Sequence, residues 1–193
     1  DMEKMAAMLP SEKPYDQTTI FETYKARMPW LLLLMISATF TGKIIESFEE
    51  ELKAYTILTA FIPMLMDTGG NAGSQSSVSV IRALSLNDIE FKDIFKVMWK
   101  ESKVAILCSL TLALCNFLKL LIIDRIPLLV SLTVCLTLIV TIILAKLIGC
   151  TLPMIAKKLK LDPAVMASPF ITTIVDACSL LIYFYIAKLL LGI

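Results

Sequence analysis

The runs Val104–Ile123, Leu128–Leu152 and Val165–Leu191 are nearly free of charge, and each is long enough to cross a membrane. Only Lys119, Lys146, Asp176 and Lys188 interrupt them. A helix needs about 20 predominantly apolar residues to cross a hydrocarbon core about 30 Å thick. A membrane barrel would instead show alternating strands of about 10 residues, and no such alternation is present. Composition agrees: 58% of the 193 residues are hydrophobic and 18% are charged, against about 45–50% and about 25% in a soluble domain. The chain reads as an all-α membrane protein.

Several chemistries are excluded at once. There is no histidine, so histidine zinc sites, Ser-His-Asp triads and histidine proton relays are out. The five cysteines lie in or at the ends of apolar spans and form no CxxC pair; they read as small apolar residues. A net charge of +1 gives no signal for nucleic acid. An integral membrane enzyme using Mg²⁺ would need clustered acids of the D-x-x-D type near the cytoplasmic interface. The one cluster, Asp88, Glu90 and Asp93, sits on a basic amphipathic segment.

Taken in order, Met2, Met5 and Leu9 line one face of a short helix that Pro10 and Pro14 break. Thr18 or Thr19 is placed to cap a second helix, with Glu22 in its first turn. Span one is expected from about Trp30 to Ile45, after the basic Lys25 and Arg27. Span two, Tyr55 to Leu86, holds only Asp67 and Arg82 as charges. As one helix it would be about 48 Å long, so it either projects beyond the bilayer or kinks at its glycines. Asn87 to Lys103 reads as an amphipathic helix with a capping-box spacing at Asn87 and Glu90. Its basic stripe, Lys92, Lys96, Lys100 and Lys103, suits an anionic leaflet; a solvated connector is the other reading. Spans three to five are the runs named above. The lysines and arginines then place the N-terminus inside and the C-terminus outside the cell membrane, with five spans.

Two polar features break the apolar pattern. The stretch Asp67-Thr-Gly-Gly-Asn-Ala-Gly-Ser-Gln-Ser-Ser77 has three glycines in five residues, a backbone able to bend and expose carbonyls. Gly69 and Gly73 also form a G-x-x-x-G packing motif, but packing does not need Asn71 or Gln75. An ion path does. The second feature is Asp176, whose insertion at mid-bilayer costs about 2.5–3.5 kcal/mol. With Ser168, Thr172, Ser179 and Tyr183 it makes one polar stripe, and Thr173 lies beside it; a structural Asp bonded to a neighbouring helix is the other reading. The ligand set is all oxygen: Asp176, Thr172, Ser168, Thr173, Asn71, Asp67 and the carbonyls of Gly69 and Gly70. Oxygen ligands imply a hard cation, with Mg²⁺, Ca²⁺, Mn²⁺ and a monovalent ion left open. One carboxylate per chain, paired across a twofold axis, would suit Mg²⁺.

Pro63 through Ser77, followed by Ile81-Arg-Ala-Leu84, resembles the signature of the MgtE magnesium channel family and its eukaryotic solute-carrier relatives. Arg27-Met-Pro-Trp-Leu31 and the stretch from Pro169 through Asp176 to Leu181 resemble the family's first and fifth spans. The resemblance implies a homodimer of five-span subunits, 29–193, with the pore at the subunit interface. It implies that hydrated Mg²⁺, or Mn²⁺, Co²⁺ or Ca²⁺, passes Asp176 into the cytoplasm down its electrochemical gradient, with Thr172 and Ser168 helping to line the site. The family often has Asn where this chain has Ser168 and Gly where it has Asp67. Residues 1–28 then correspond to a connector from cytosolic CBS domains that gate the pore. A Na⁺-coupled exchanger is the alternative that the solute-carrier relatives suggest.

Overall fold

A computed structural model describes residues 14–166 and 168–192, and the side chains of all of these except 165, 166 and 168. The helix expected around Met2, Met5 and Leu9 and the first 13 residues of the expected connector lie outside them. Among the described residues there is no strand. The described residues form six α-helices: α1 (Ile20–Ser47), α2 (Glu49–Ala54), α3 (Ile62–Ser85), α4 (Ile94–Leu118), α5 (Leu128–Lys158) and α6 (Ser168–Leu191). Among the described residues, four stretches are long and apolar enough to cross a membrane by length and composition: Ile20–Ser47, Phe91–Ile123, Leu128–Lys158 and Pro169–Leu191. Helix α3 is long enough, but its polar segment from Asp67 to Ser77 lowers its hydropathy.

Local signals explain the helix ends. Thr19 caps α1 through a capping box with Glu22: the Glu22 N–H donates to Thr19 Oγ1 at 3.3 Å, and the Thr19 N–H donates to Glu22 Oε2 at 2.9 Å. Helix α1 begins ten residues before the expected Trp30 and carries Pro29 inside it, so the second expected helix, capped by Thr19, and span one are a single element.

Helix α3 corrects a second expectation. It runs unbroken through Gly69, Gly70 and Gly73, so its glycines do not bend the backbone to expose carbonyls. They let neighbours approach: a Cβ on Gly73 would lie 2.9 Å from Ile171 Cγ2 and 3.1 Å from the Ala145 carbonyl oxygen. The break in the expected 32-residue span falls earlier, at the 3₁₀ turn Thr56–Phe61. Pro63 sits in the first turn of α3, where a missing N–H costs least.

The third correction concerns Asn87. It ends α3 rather than starting the next helix. Its φ is 56°, a conformation that Asn tolerates. The Asp88 N–H donates to the Ala83 carbonyl at 2.9 Å and the Asn87 N–H to the Leu84 carbonyl at 3.3 Å, the paired bonds of a Schellman motif. The capping box belongs to Glu90 and Asp93. After it, α4 runs without interruption from Ile94 into the apolar run. The basic segment is thus the first three turns of a membrane-length helix rather than a helix of its own.

Helix α3 packs against α5 and α6, and α5 also covers α4. The main core includes Leu65 of α3, Val134, Leu138 and Ile142 of α5, and Ile171, Val175 and Leu180 of α6, each at most 3% exposed. Helix α1 rests chiefly on α6. The segment from Phe48 to Phe61 is pinned to α6 at three points. Phe48 stacks on Phe184 with centroids 4.5 Å apart, Lys188 pairs with Glu51 at 2.7 Å, and the buried Tyr183 hydroxyl donates to the Leu58 carbonyl at 3.0 Å. All five cysteines are free thiols.

Candidate functional site

The two polar features of the sequence meet. Ile62, Pro63, Met66, Asp67, Gly70 and Asn71 of α3 face Thr172 and Asp176 of α6 across a cleft of about 420 Å³. The α3 lining is two adjacent helical rows: Ile62, Met66 and Gly70 in one, Pro63, Asp67 and Asn71 in the other. Residues four apart stack on one helix face, and Thr172 and Asp176 have the same spacing on α6.

Gly70 sets the width of the cleft. A Cβ there would lie 2.9 Å from Thr172 Cγ2, so the absence of a side chain lets α6 come close at this level. Thr172 and Thr173 both donate to the Pro169 carbonyl at 3.0 Å. Each hydroxyl still has lone pairs free to accept, but only Thr172 lines the cleft.

Asp67 and Asp176 place two carboxylates on one cleft. Among the described residues no lysine or arginine pairs with either. Two such carboxylates repel each other, and a cation between them removes that repulsion. Among the described residues no group of three or more His, Cys, Asp or Glu comes together. The cleft therefore offers two carboxylates plus neutral oxygens, from Asn71 and Thr172. That is a hard-cation donor set.

The other expected site residues fall nearby. Gly69 points away from the cleft: a Cβ on it would meet Thr141 Cγ2 at 2.7 Å, Val175 Cγ1 at 2.9 Å and Ser179 Oγ at 3.2 Å. Its role in this geometry is packing. The Ser168 side chain lies outside the described residues. The expected stripe on α6 is one helical face, but its two ends have different neighbours. Toward Asp176 it meets the glycines and Asp67 of α3. Beyond Asp176, Ser179 is buried against Gly69 of α3 and donates to the Val175 carbonyl at 2.6 Å, and Tyr183 lies beneath Leu58 of the turn Thr56–Phe61. Pro63 and Met66 line the cleft but were not among the expected site residues. The signal was there: Pro63 is one turn before Asp67, and Met66 is one turn before Gly70.

Asp67, Asn71, Gln75 and Ser79 continue along α3 at fourfold spacing, and all four are exposed. Leu65, Gly69, Ala72 and Ser76 on the opposite side are buried. The polar row of α3 is thus the outer face of this chain.

Comparison with known proteins agrees with this chemistry. A family model described as MgtE, divalent cation transporter, matches residues 62–186. The magnesium transporter MgtE of Thermus thermophilus is 35% identical over 191 residues, covering 99% of this chain and 42% of the relative. That of Bacillus subtilis is 37% identical, covering 97% and 41%. That of Enterococcus faecalis is 32% identical over 168 residues, covering 84% and 36%. The chain spans about two fifths of the length of these relatives. With well over half of its residues matched by the family model, the chain belongs to the MgtE family of divalent cation transporters.

Proposed function

We propose that this chain forms half of a pore that passes Mg²⁺ across a cell membrane. The observation that carries the reading is the outer row of α3. Asp67, Asn71 and Gln75 are exposed on a helix packed among membrane-length helices. Facing lipid, a carboxylate alone costs about 2.5–3.5 kcal/mol at mid-bilayer. Facing a second copy across a water-filled path, the row avoids that cost. Helix α3 is then the fifth span. The chain runs from an N-terminus inside to a C-terminus outside, and the twofold axis brings together two Asp176 and two Asp67.

In this reading Mg²⁺ is the cargo. Asp176 and Asp67 attract the ion, and Asn71 and Thr172 accept hydrogen bonds from its retained water. Mg²⁺ gives up water reluctantly and is usually held by one or two carboxylates. The membrane potential contributes about 2.3 kcal/mol per charge per 100 mV to inward movement. Cytosolic CBS domains of the longer protein supply the gate.

Thiol accessibility tests the wet row. In the full-length protein with its cysteines replaced by serine, Asn71→Cys is expected to react with a charged water-soluble thiosulfonate, and Mg²⁺ is expected to slow the reaction. Leu33→Cys, on the exposed apolar face of α1, is expected to stay unreactive. An unreactive Asn71→Cys in folded protein would place the row in lipid and overturn the reading.

A further inference from the structure

We propose that the first turns of α4 bind the headgroup of one anionic phospholipid, whose acyl chains lie along the same helix. Phe91, Ile94 and Met98 of this segment turn inward and pack against Val80, Leu84 and Met154. Phe95 and Trp99 turn outward and are 79% and 67% exposed. Lys96, Lys100 and Lys103 are exposed with them. Lys103 Nζ sits 5.3 Å from the centroid of the Trp99 ring, a cation–π contact that holds an ammonium beside an indole. Among the described residues no carboxylate pairs with any of these three ammonium groups.

The occupant follows from what continues along that face. One turn further into the apolar run, the outward residues become Leu107, Leu110 and Leu114, which are 70%, 54% and 61% exposed. Lysine and tryptophan at the helix start, then leucines among which the Thr111 hydroxyl is bonded to the Leu107 carbonyl, is the profile of a phospholipid beside it: phosphate, glycerol level, acyl chains. A soluble anion would have no use for the leucines, and a protein partner in the aqueous phase would not reach them.

The lysines also open on a cleft of about 470 Å³ between α3 and α4, which Ser79 lines on the α3 side. Three carboxylates line it too. Two are engaged: Asp93 accepts from the Glu90 N–H at 3.0 Å, and Glu101 accepts from the Ser76 hydroxyl at 2.5 Å. Asp88 is the third. Neutral donors leave both engaged groups charged, but Asp93 and Glu101 are half-buried and turned to those donors, whereas Lys96, Lys100 and Lys103 are exposed, so the lysines dominate the outer surface that a headgroup reaches. This favours a headgroup with net negative charge over a zwitterionic one. Each lysine near an anionic surface raises affinity about fivefold.

The test uses full-length protein exchanged into nanodiscs that hold equal fractions of phosphatidylglycerol and phosphatidylcholine of identical acyl chains. Native mass spectrometry after release counts the retained lipids. The expected result is retention of phosphatidylglycerol about tenfold or more above phosphatidylcholine. The preference should vanish in Lys96→Gln/Lys100→Gln/Lys103→Gln and persist in the matching arginine triple. Equal retention of the two lipids by the parent protein would overturn the proposal, and that comparison stands even if the glutamine triple fails to fold. A glutamine triple that folds and keeps the full preference would overturn it as well.

Discussion

Gly149 of α5 lies against the backbone of Gly73 of α3. A Cβ on Gly149 would collide with the Gly73 carbonyl and sit 3.1 Å from its Cα. Helix α3, which carries Asp67 and Asn71, is held in place by this backbone contact.

The contact makes Gly149→Ala a sharp substitution, because the obstructing atoms are main chain and cannot rotate away. The expected loss is about 3 kcal/mol, the upper end for overpacking, read as a lowered Tm of the full-length protein in detergent. Gly42→Ala is the control: nothing lies within 4 Å of a Cβ there, and its Tm should be unchanged.

Gly70 differs because its obstacle is a side-chain tip, Thr172 Cγ2 at 2.9 Å. Gly70→Ala is therefore expected to fold, with a loss of about 1–2 kcal/mol, and to lose Mg²⁺ flux by widening the α3–α6 separation at the cleft. Thr172→Ser removes that methyl and keeps the hydroxyl. The double variant should recover most of the flux, whereas unchanged flux in Gly70→Ala alone would show that the spacing does not matter.

Tyr183 is fully buried, and its hydroxyl is bonded to the Leu58 carbonyl. Tyr183→Phe leaves that carbonyl without its partner, at an expected cost of about 1–3 kcal/mol. Denaturation of the two proteins side by side checks this.

The outer pin responds to pH. Lys188 hydrogen-bonds to Glu51 and holds its carboxyl below the usual carboxylate range. A carboxylate with a depressed pKa adds stability above its unfolded value of about 4.3. That stability is lost as pH falls through the lower folded value. The protection factors of the Glu49–Ala54 amides, taken against the intrinsic exchange rate at each pH, should therefore fall on acidification from pH 5 toward about pH 3, and Glu51→Gln should flatten that change.

Much of this was legible in advance, and the misses have physical causes. Asp176 and Asp67 stood out because a carboxylate in an apolar run is costly, and helical spacing put Thr172 beside Asp176. Thr19 and Glu22 announced the start of α1. The glycines were ambiguous: a segment that can bend and a segment that lets helices touch have the same composition. Only the positions of Thr141, Ile171, Thr172 and Gly149 around it decide for contact. Asn87 was ambiguous likewise, since Asn serves both to open a helix and to close one in the left-handed region. The engagement of Glu101 by Ser76 joins residues 25 apart in sequence, and no local pattern encodes it.

The central claim is that Mg²⁺ passes the cleft shared by Asp67 and Asp176. It is tested most directly by Mg²⁺ flux into proteoliposomes of the full-length protein under an inside-negative potential, followed with an entrapped Mg²⁺-sensitive dye. Asp176→Asn keeps the shape of the side chain and removes its charge. The predicted result is flux at least about tenfold below the parent, with folding and assembly unchanged by size-exclusion chromatography. Flux equal to the parent in Asp176→Asn would contradict the account.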